Sequence, residues 1–138
     1  MEIRDADEED ATALATLADA PVEVMRNIVH DRTVRVAEYA RRDGSDESGS
    51  QEIAGYVSFD AERDTVFVTQ LHGERDALER LLEEPVRFAR QEAMAVEFLA
   101  TSADERLQSV ARAAGFECTG NGPTFKNGPT KRYRIEHS

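Results

Sequence analysis

Residues 65–101 read TVFVTQLHGERDALERLLEEPVRFARQEAMAVEFLAT, and the change of period inside this stretch decides the fold. Residues 65–71 are rich in branched and aromatic side chains and read as a strand. From residue 76 to 92 the period becomes helical, with Leu78, Leu81, Leu82, Val86 and Ala89 on one stripe. Pro85 falls inside that stripe. An interior proline removes a hydrogen bond at a cost of about 3 kcal/mol, so a kink or a fresh helical turn is expected there. Residues 94–101 (MAVEFLAT) are mostly apolar, as in a strand buried on both faces and parallel to its neighbour across the helix. The stretch is one βαβ unit.

Upstream, residues 52–60 (EIAGYVSFD) form a strand joined to 65–71 by a hairpin turn at 61–64. Residues 33–40 (TVRVAEYA) alternate as a half-buried strand with Val34 and Val36 inward, which makes an antiparallel meander of three. Residues 42–51 (RDGSDESGSQ) carry no apolar side chain and read as a flexible loop, too short to link two domains. Nearer the N-terminus, 2–5 is a short strand. Asp7, Glu8, Glu9 and Asp10 suit the positive end of a helix that continues through Leu14 and Leu17. Pro21 opens a second helix over 22–30, with Val22, Met25 and Val29 on one face.

Downstream, Ser102 and Glu105 fit a capping box before a helix whose inner stripe is Leu107, Val110, Ala111 and Ala114, with Gly115 as its stop. Two last strands follow at 116–119 and 131–136. Between them Asn121-Gly122-Pro123-Thr124 recurs as Asn127-Gly128-Pro129-Thr130, a duplicated turn far below the length of a solenoid repeat. The expected fold is α+β: one domain over 1–138, with a mixed, mostly antiparallel sheet of six or seven strands and about four helices.

Composition narrows the function. The chain has 28 acidic against 17 basic residues, a net charge of −11, which argues against nucleic acid or an anionic membrane as partner. Only Lys126 and Lys131 are lysines among the 17 basic residues. This acidic, arginine-skewed usage resembles proteins of salt-loving microbes, and a high-GC genome would also produce it. Cys118 is the single cysteine, so there is no intrachain disulfide and no zinc spacing, and no metal site is expected. With no long apolar run and no signal-like N-terminus, a cytoplasmic protein is expected.

The order strand, two helices, three antiparallel strands, helix, strand, helix, two strands resembles the GNAT-type N-acetyltransferases over essentially the whole chain. Ile3-Arg4-Asp5-Ala6 before the first helix and Ala113-Ala114-Gly115-Phe116 after the last are the most specific local matches. The resemblance implies that the fourth and fifth strands splay, that acetyl-CoA lies between them, and that amides at the start of the following helix bind the pyrophosphate. The family's phosphate loop, Gln/Arg-x-x-Gly-x-Gly/Ala, is similar to Gln70-Leu71-His72-Gly73-Glu74-Arg75, with Arg75 in place of the last small residue. In a second register Glu74, Asp76 and Leu78 occupy the glycine positions. The first register makes Val68, Thr69, Gln70, Leu71, His72, Gly73, Glu74 and Arg75 the cofactor-binding residues, with Arg75 offering a charge-assisted hydrogen bond to phosphate. Where the family often has an acidic Tyr and an Asn on the last helix, this chain has Ala111 and Asp104.

No catalytic residue is assigned; three candidates stand out. His72 sits at a strand-to-helix junction, where a helix N-terminus favours the neutral imidazole, and its alternative is a solvated loop histidine. Glu38 and Glu97 lie in apolar runs and could take a proton through water, the alternative for Glu97 being an arginine salt bridge. Lys126, Lys131, Arg132 and Arg134 form a basic exception near the C-terminus that suits an anionic ligand or cross-strand pairing. His30, Arg32 and Arg35 form a second basic cluster open to the same two readings. The expected function is acetyl transfer from acetyl-CoA to an amine of a small molecule or peptide, by a monomer or homodimer. The alternative is a GNAT-shaped module with a degenerate CoA site that binds a ligand or protein.

Overall fold

The computed structural model describes residues 1–39, 53–126 and 128–136. The expected loop at 42–51 lies outside them. Among the described residues, seven strands form one sheet in the order β1-β2-β3-β4-β5-β7-β6. They are β1 (Glu2–Asp5), β2 (Thr33–Glu38), β3 (Ile53–Glu62), β4 (Thr65–Gly73), β5 (Ala95–Thr101), β6 (Glu117–Asn121) and β7 (Thr130–Ile135). All neighbours are antiparallel except β4 and β5. The helices are α1 (Ala11–Ala18), entered through a 3-10 turn at Glu8–Asp10, α2 (Val22–Asp31), α3 (Arg75–Glu92) and α4 (Glu105–Ala113). No described helix is long and apolar enough to cross a membrane.

The sheet has a core on each side. On one face Leu78, Leu81, Leu82 and Val86 of α3 and Val110 of α4 pack with Val57, Val66, Val96 and Tyr133. On the other, Leu14 of α1 and Met25 of α2 pack with Val34, Val36 and Tyr56. The helical stripe read for α3 is therefore its buried face, and the helix runs continuously through the buried Pro85 rather than restarting there. That proline sits among core side chains, and packing offsets the missing hydrogen bond.

Three local expectations are corrected. β5 is buried on one face only, because Glu97, Leu99 and Thr101 alternate as half-exposed positions on the side away from α3. The cap of α4 is Asp104, which accepts from the Leu107 amide at 3.0 Å, in place of Ser102. The α4 stripe stops short of Ala114, which is exposed. Gly115 does end the helix, at φ +97°.

One ion cluster ties the N-terminal elements together. The Arg4 guanidinium donates to both carboxylate oxygens of Asp10 at 2.8 Å and through Nε to Glu38 at 2.6 Å. It thereby joins β1, the 3-10 turn and the end of β2. Glu38, a catalytic candidate by sequence, is a structural partner of Arg4 here. Burial would raise the Asp10 pKa, but hydrogen bonds from Arg4 and the Asp7 amide, with the Arg4 charge, hold it below the usual carboxylate range.

Replacing Arg4 by Met strands two buried carboxylates, and a loss of about 3–5 kcal/mol is expected at neutral pH. Because the folded Asp10 pKa is depressed, its stabilising contribution is present above the unfolded value of about 3.9 and is lost as pH falls through the folded value. Without Arg4 the larger effect of burial is opposed only by the Asp7 amide, and acidification favours the folded state. Urea unfolding of both proteins near pH 7 and near pH 3.5 should therefore show the difference shrinking in acid; a constant difference would contradict the ion-cluster account.

Candidate functional site: the gap between β4 and β5

The parallel pair β4–β5 is short. Register holds for Thr65↔Ala95, Val66↔Val96 and Phe67↔Glu97, and then the strands part. β5 remains paired with β7 through Thr101↔Thr130, while β4 remains paired with β3 through Gly73↔Gly55. Beyond Phe67 one edge of β4 thus has no strand beside it among the described residues, and a gap opens between Val68–His72 and Phe98–Thr101.

A β-bulge shapes the β4 wall. Phe59 pairs with Val68 and Ser58 with Gln70, so Thr69 is the extra residue. Its hydroxyl lies 2.9 Å from the Ser58 hydroxyl and donates to the Ser58 carbonyl at 3.0 Å, giving the fully buried Ser58 hydrogen-bond partners at the bulge. The slip of one residue carries Gln70 and His72 to the Tyr56 side, while Val68 and Leu71 face the α3 core. Tyr56 is fully buried, its hydroxyl donates to Gln70 Oε1, and burial pushes its pKa up. The His72 ring stacks on Tyr56 with centroids 5.4 Å apart.

The strand ends where two backbones nearly touch. A Cβ on Gly73, which has φ +143°, would stand 2.5 Å from the Ala54 carbonyl oxygen, and one on Gly55 would stand 2.5 Å from that of His72. Glycine at 73 thus serves the approach of β3 to β4. The chain then turns into α3. The Glu74 amide donates to Ala54 O, and Leu78 is the first amide to bond back, to Glu74 O at 2.8 Å. The amides of Arg75, Asp76 and Ala77 precede the first helical bond and form an electropositive end beside the gap. Glu74 and Asp76 are exposed there, and Arg75 reaches across to Ser109 of α4 at 2.9 Å.

The gap holds a cavity of about 190 Å³ between Val68–His72 and Phe98–Thr101, bordered by Asp104 and Leu107. A second hollow of about 350 Å³ continues it past Gly73, Leu78 and Arg106, sharing Leu71, His72, Asp104 and Leu107. Larger hollows lie between α3 and α4, at about 440 Å³, and beside the α2 C-terminus, at about 880 Å³. They adjoin neither the unpaired strand edge nor the α3 amides; Arg32 and His30 in the latter pair with Asp60 and Glu8.

Of the residues named from sequence, Val68 to Gly73 gather along this gap, with Glu74 and Arg75 at its α3 end. Glu97 stands at the apex and is paired with Arg134 at 3.0 Å and Arg132 at 3.6 Å. Cys118 is exposed on the outer strand β6, and Ala111 is buried in the core. Sequence reasoning missed Tyr56, Arg106 and Leu99 as residues of this region. Tyr56 could have been found by counting register back from the hairpin, but only with the slip at Thr69 included.

His72 is an exposed titratable group on the wall of the gap, which Asp104 also lines. The protein atoms around its ring desolvate it and lower its pKa, while the Asp104 carboxylate opposes the shift, so the imidazole is neutral at pH 7. An NMR titration should give a midpoint below the ordinary value of about 6.5. Asp104→Asn, which keeps a competent helix cap, should lower it further. A wild-type midpoint at or above the ordinary value would contradict this environment.

No family model and no curated protein matches the sequence. Solved structures do match in shape. NAA60 of Arabidopsis thaliana, in complex with a bisubstrate analogue, superposes with a TM-score of 0.76 at 14% identity, covering 98% of this chain and 97% of that one. A ribosomal-protein-alanine N-acetyltransferase from Brucella melitensis gives 0.75 at 17%, covering 99% of both chains. A GNAT superfamily phosphinothricin acetyltransferase from Sinorhizobium meliloti, in complex with AcCoA, gives 0.71 at 19%, covering 99% of this chain and 88% of that one. The chain has the fold of the GNAT acetyltransferases.

Proposed function

We propose that the protein transfers an acetyl or related acyl group from coenzyme A to an amine. The observation that carries this reading is the parting of β4 from β5 after Phe67, which leaves a strand edge unpaired beside three free amides of α3. A pantetheine arm carries amides that can add to such an edge as a further strand would. The amides of Arg75, Asp76 and Ala77, with the Arg75 guanidinium, suit a pyrophosphate. The cofactor supplies an activated acyl thioester. At the bulge, the amide of Thr69 or Gln70 is the donor that polarises its carbonyl. The acceptor amine attacks as the free base, the carbon–sulfur bond breaks, and the amine proton passes to neutral His72 directly or through water.

Two features favour the second reading, a GNAT-shaped module that binds a ligand or protein without catalysis. Glu74 and Asp76 put negative charge beside the α3 amides, and Ala111 offers no acid to the leaving thiolate. One experiment separates the readings. Acetyl-CoA titrated calorimetrically into the protein should bind saturably. Arg75→Ala should weaken binding about tenfold, the scale of one charge-assisted hydrogen bond, and the pair Glu74→Gln with Asp76→Asn should tighten it. Absence of binding at millimolar acetyl-CoA would overturn the transferase reading.

A further inference from the structure

The sheet face next to the gap carries a charge arrangement that the transfer reading leaves unused. α1 and α2 pack over β2 to β4, and the half-exposed side of β5 and β7 forms an open shelf beyond them. Along that shelf Glu97 is the register partner of Arg134, and Leu99 is the partner of Arg132. Glu97 also pairs with Phe67, the last residue at which β4 and β5 are joined. Arg132 therefore stands one pleat beyond the apex of the gap, directly beside Leu99, which lines it. Register partners in an antiparallel pair have Cα atoms about 5 Å apart, well within the reach of an arginine.

Two guanidiniums, Arg132 and Arg134, stand among three carboxylates on this shelf: Glu97 and Glu117 are the register partners of Arg134 on its two sides, and Glu136 pairs with it. Glu97 is shared by two guanidiniums: Arg134 holds Oε1 at 3.0 Å, and Arg132 Nε lies a loose 3.6 Å from Oε2. Arg134 has a second carboxylate partner in Glu136. Among the described residues Arg132 has no carboxylate neighbour but Glu97, and its guanidinium makes no side-chain hydrogen bond. Its side chain is 39% exposed, so the fork is open to a ligand. Lys131, next in sequence, is the register partner of Ala100 and lies on the opposite face of the sheet, so Arg132 is the shelf's one loosely held cation among the described residues.

We infer that the acceptor is an amine that also carries a carboxylate a few bonds away, held by Arg132 while the amine reaches the apex of the β4–β5 gap. This inference rests on the transferase reading for its chemistry, and on the shelf alone for the carboxylate. A guanidinium fork matches a carboxylate in two parallel hydrogen bonds. The same chemistry is offered by a free amino acid and by a short peptide, whose carboxylate lies further from its amine.

The test has two arms. In the first, acetyl transfer is measured with phenylalanine, phenylalaninamide and the dipeptide phenylalanyl-glycine. A kcat/KM at least tenfold higher for phenylalanine than for its amide is expected, carried mainly by KM. Arg132→Gln should collapse that ratio, and Arg132→Lys should restore part of it. A dipeptide as good as phenylalanine assigns the carboxylate to peptides, and a poor dipeptide assigns it to free amino acids. Equal kcat/KM for the acid and the amide overturns the inference and leaves the transferase reading standing. In the second arm, N-acetylphenylalanine is titrated into the protein without coenzyme A and followed by NMR. Saturable shifts at the amides of Leu99, Thr119 and Arg132 that vanish in Arg132→Gln support the carboxylate shelf even if acetyl-CoA fails to bind, and flat shifts overturn it.

Discussion

The hydroxyl of Thr69 on the Ser58 carbonyl is the contact on which the site depends. An extra residue in a strand is left unpaired and disrupts the ladder locally, and a buried carbonyl without a donor costs about 1–3 kcal/mol. Thr69 supplies a donor to the Ser58 carbonyl from the bulged residue itself. With the slip secured, β4 continues beside β3 to the glycine pair 55 and 73, where no side chain fits, and delivers the chain to the start of α3. β5 meanwhile follows β7. The gap is the space between two strands that each keep a better partner on the other side.

Much of this frame was legible in the sequence because period reports burial. The stripe from Leu78 to Ala89 could only be a helix with one apolar face, and its position between two branched, apolar runs made a parallel crossover the economical arrangement. The failures share a cause: they depend on what lies across from a residue. MAVEFLAT looks buried on both faces, yet Glu97 and Leu99 meet no helix on their side, and the two arginines of β7 cover them instead. Ser102 has the right chemistry for a cap, but the chain enters α4 two residues later and Asp104 takes the role. Tyr56 stayed hidden because a bulge has no period of its own.

The acidic composition takes on a different meaning once the cations are placed. Arg4, Arg35 and Arg134 each hold two carboxylates, joining strand to strand or strand to helix. Half-buried guanidiniums satisfy several oxygens at once in a way lysine cannot, consistent with a basic set that is nearly all arginine. Arg132, with one carboxylate at 3.6 Å, stands near the gap, and Arg75, bonded to Ser109, stands at its α3 end. Acids also stand at that end, since Glu74 and Asp76 flank the α3 amides, so the site's affinity for an anion is a balance between helix dipole and side-chain charge.

The most direct test of the central claim, that the unpaired edge of β4 and the first amides of α3 form one binding site, is amide hydrogen exchange with and without saturating acetyl-CoA. Protection should appear together at residues 69–71 and 75–77, while the already paired edge facing β3 changes little. Unchanged exchange at both segments, or protection confined to another part of the sheet, would contradict the account.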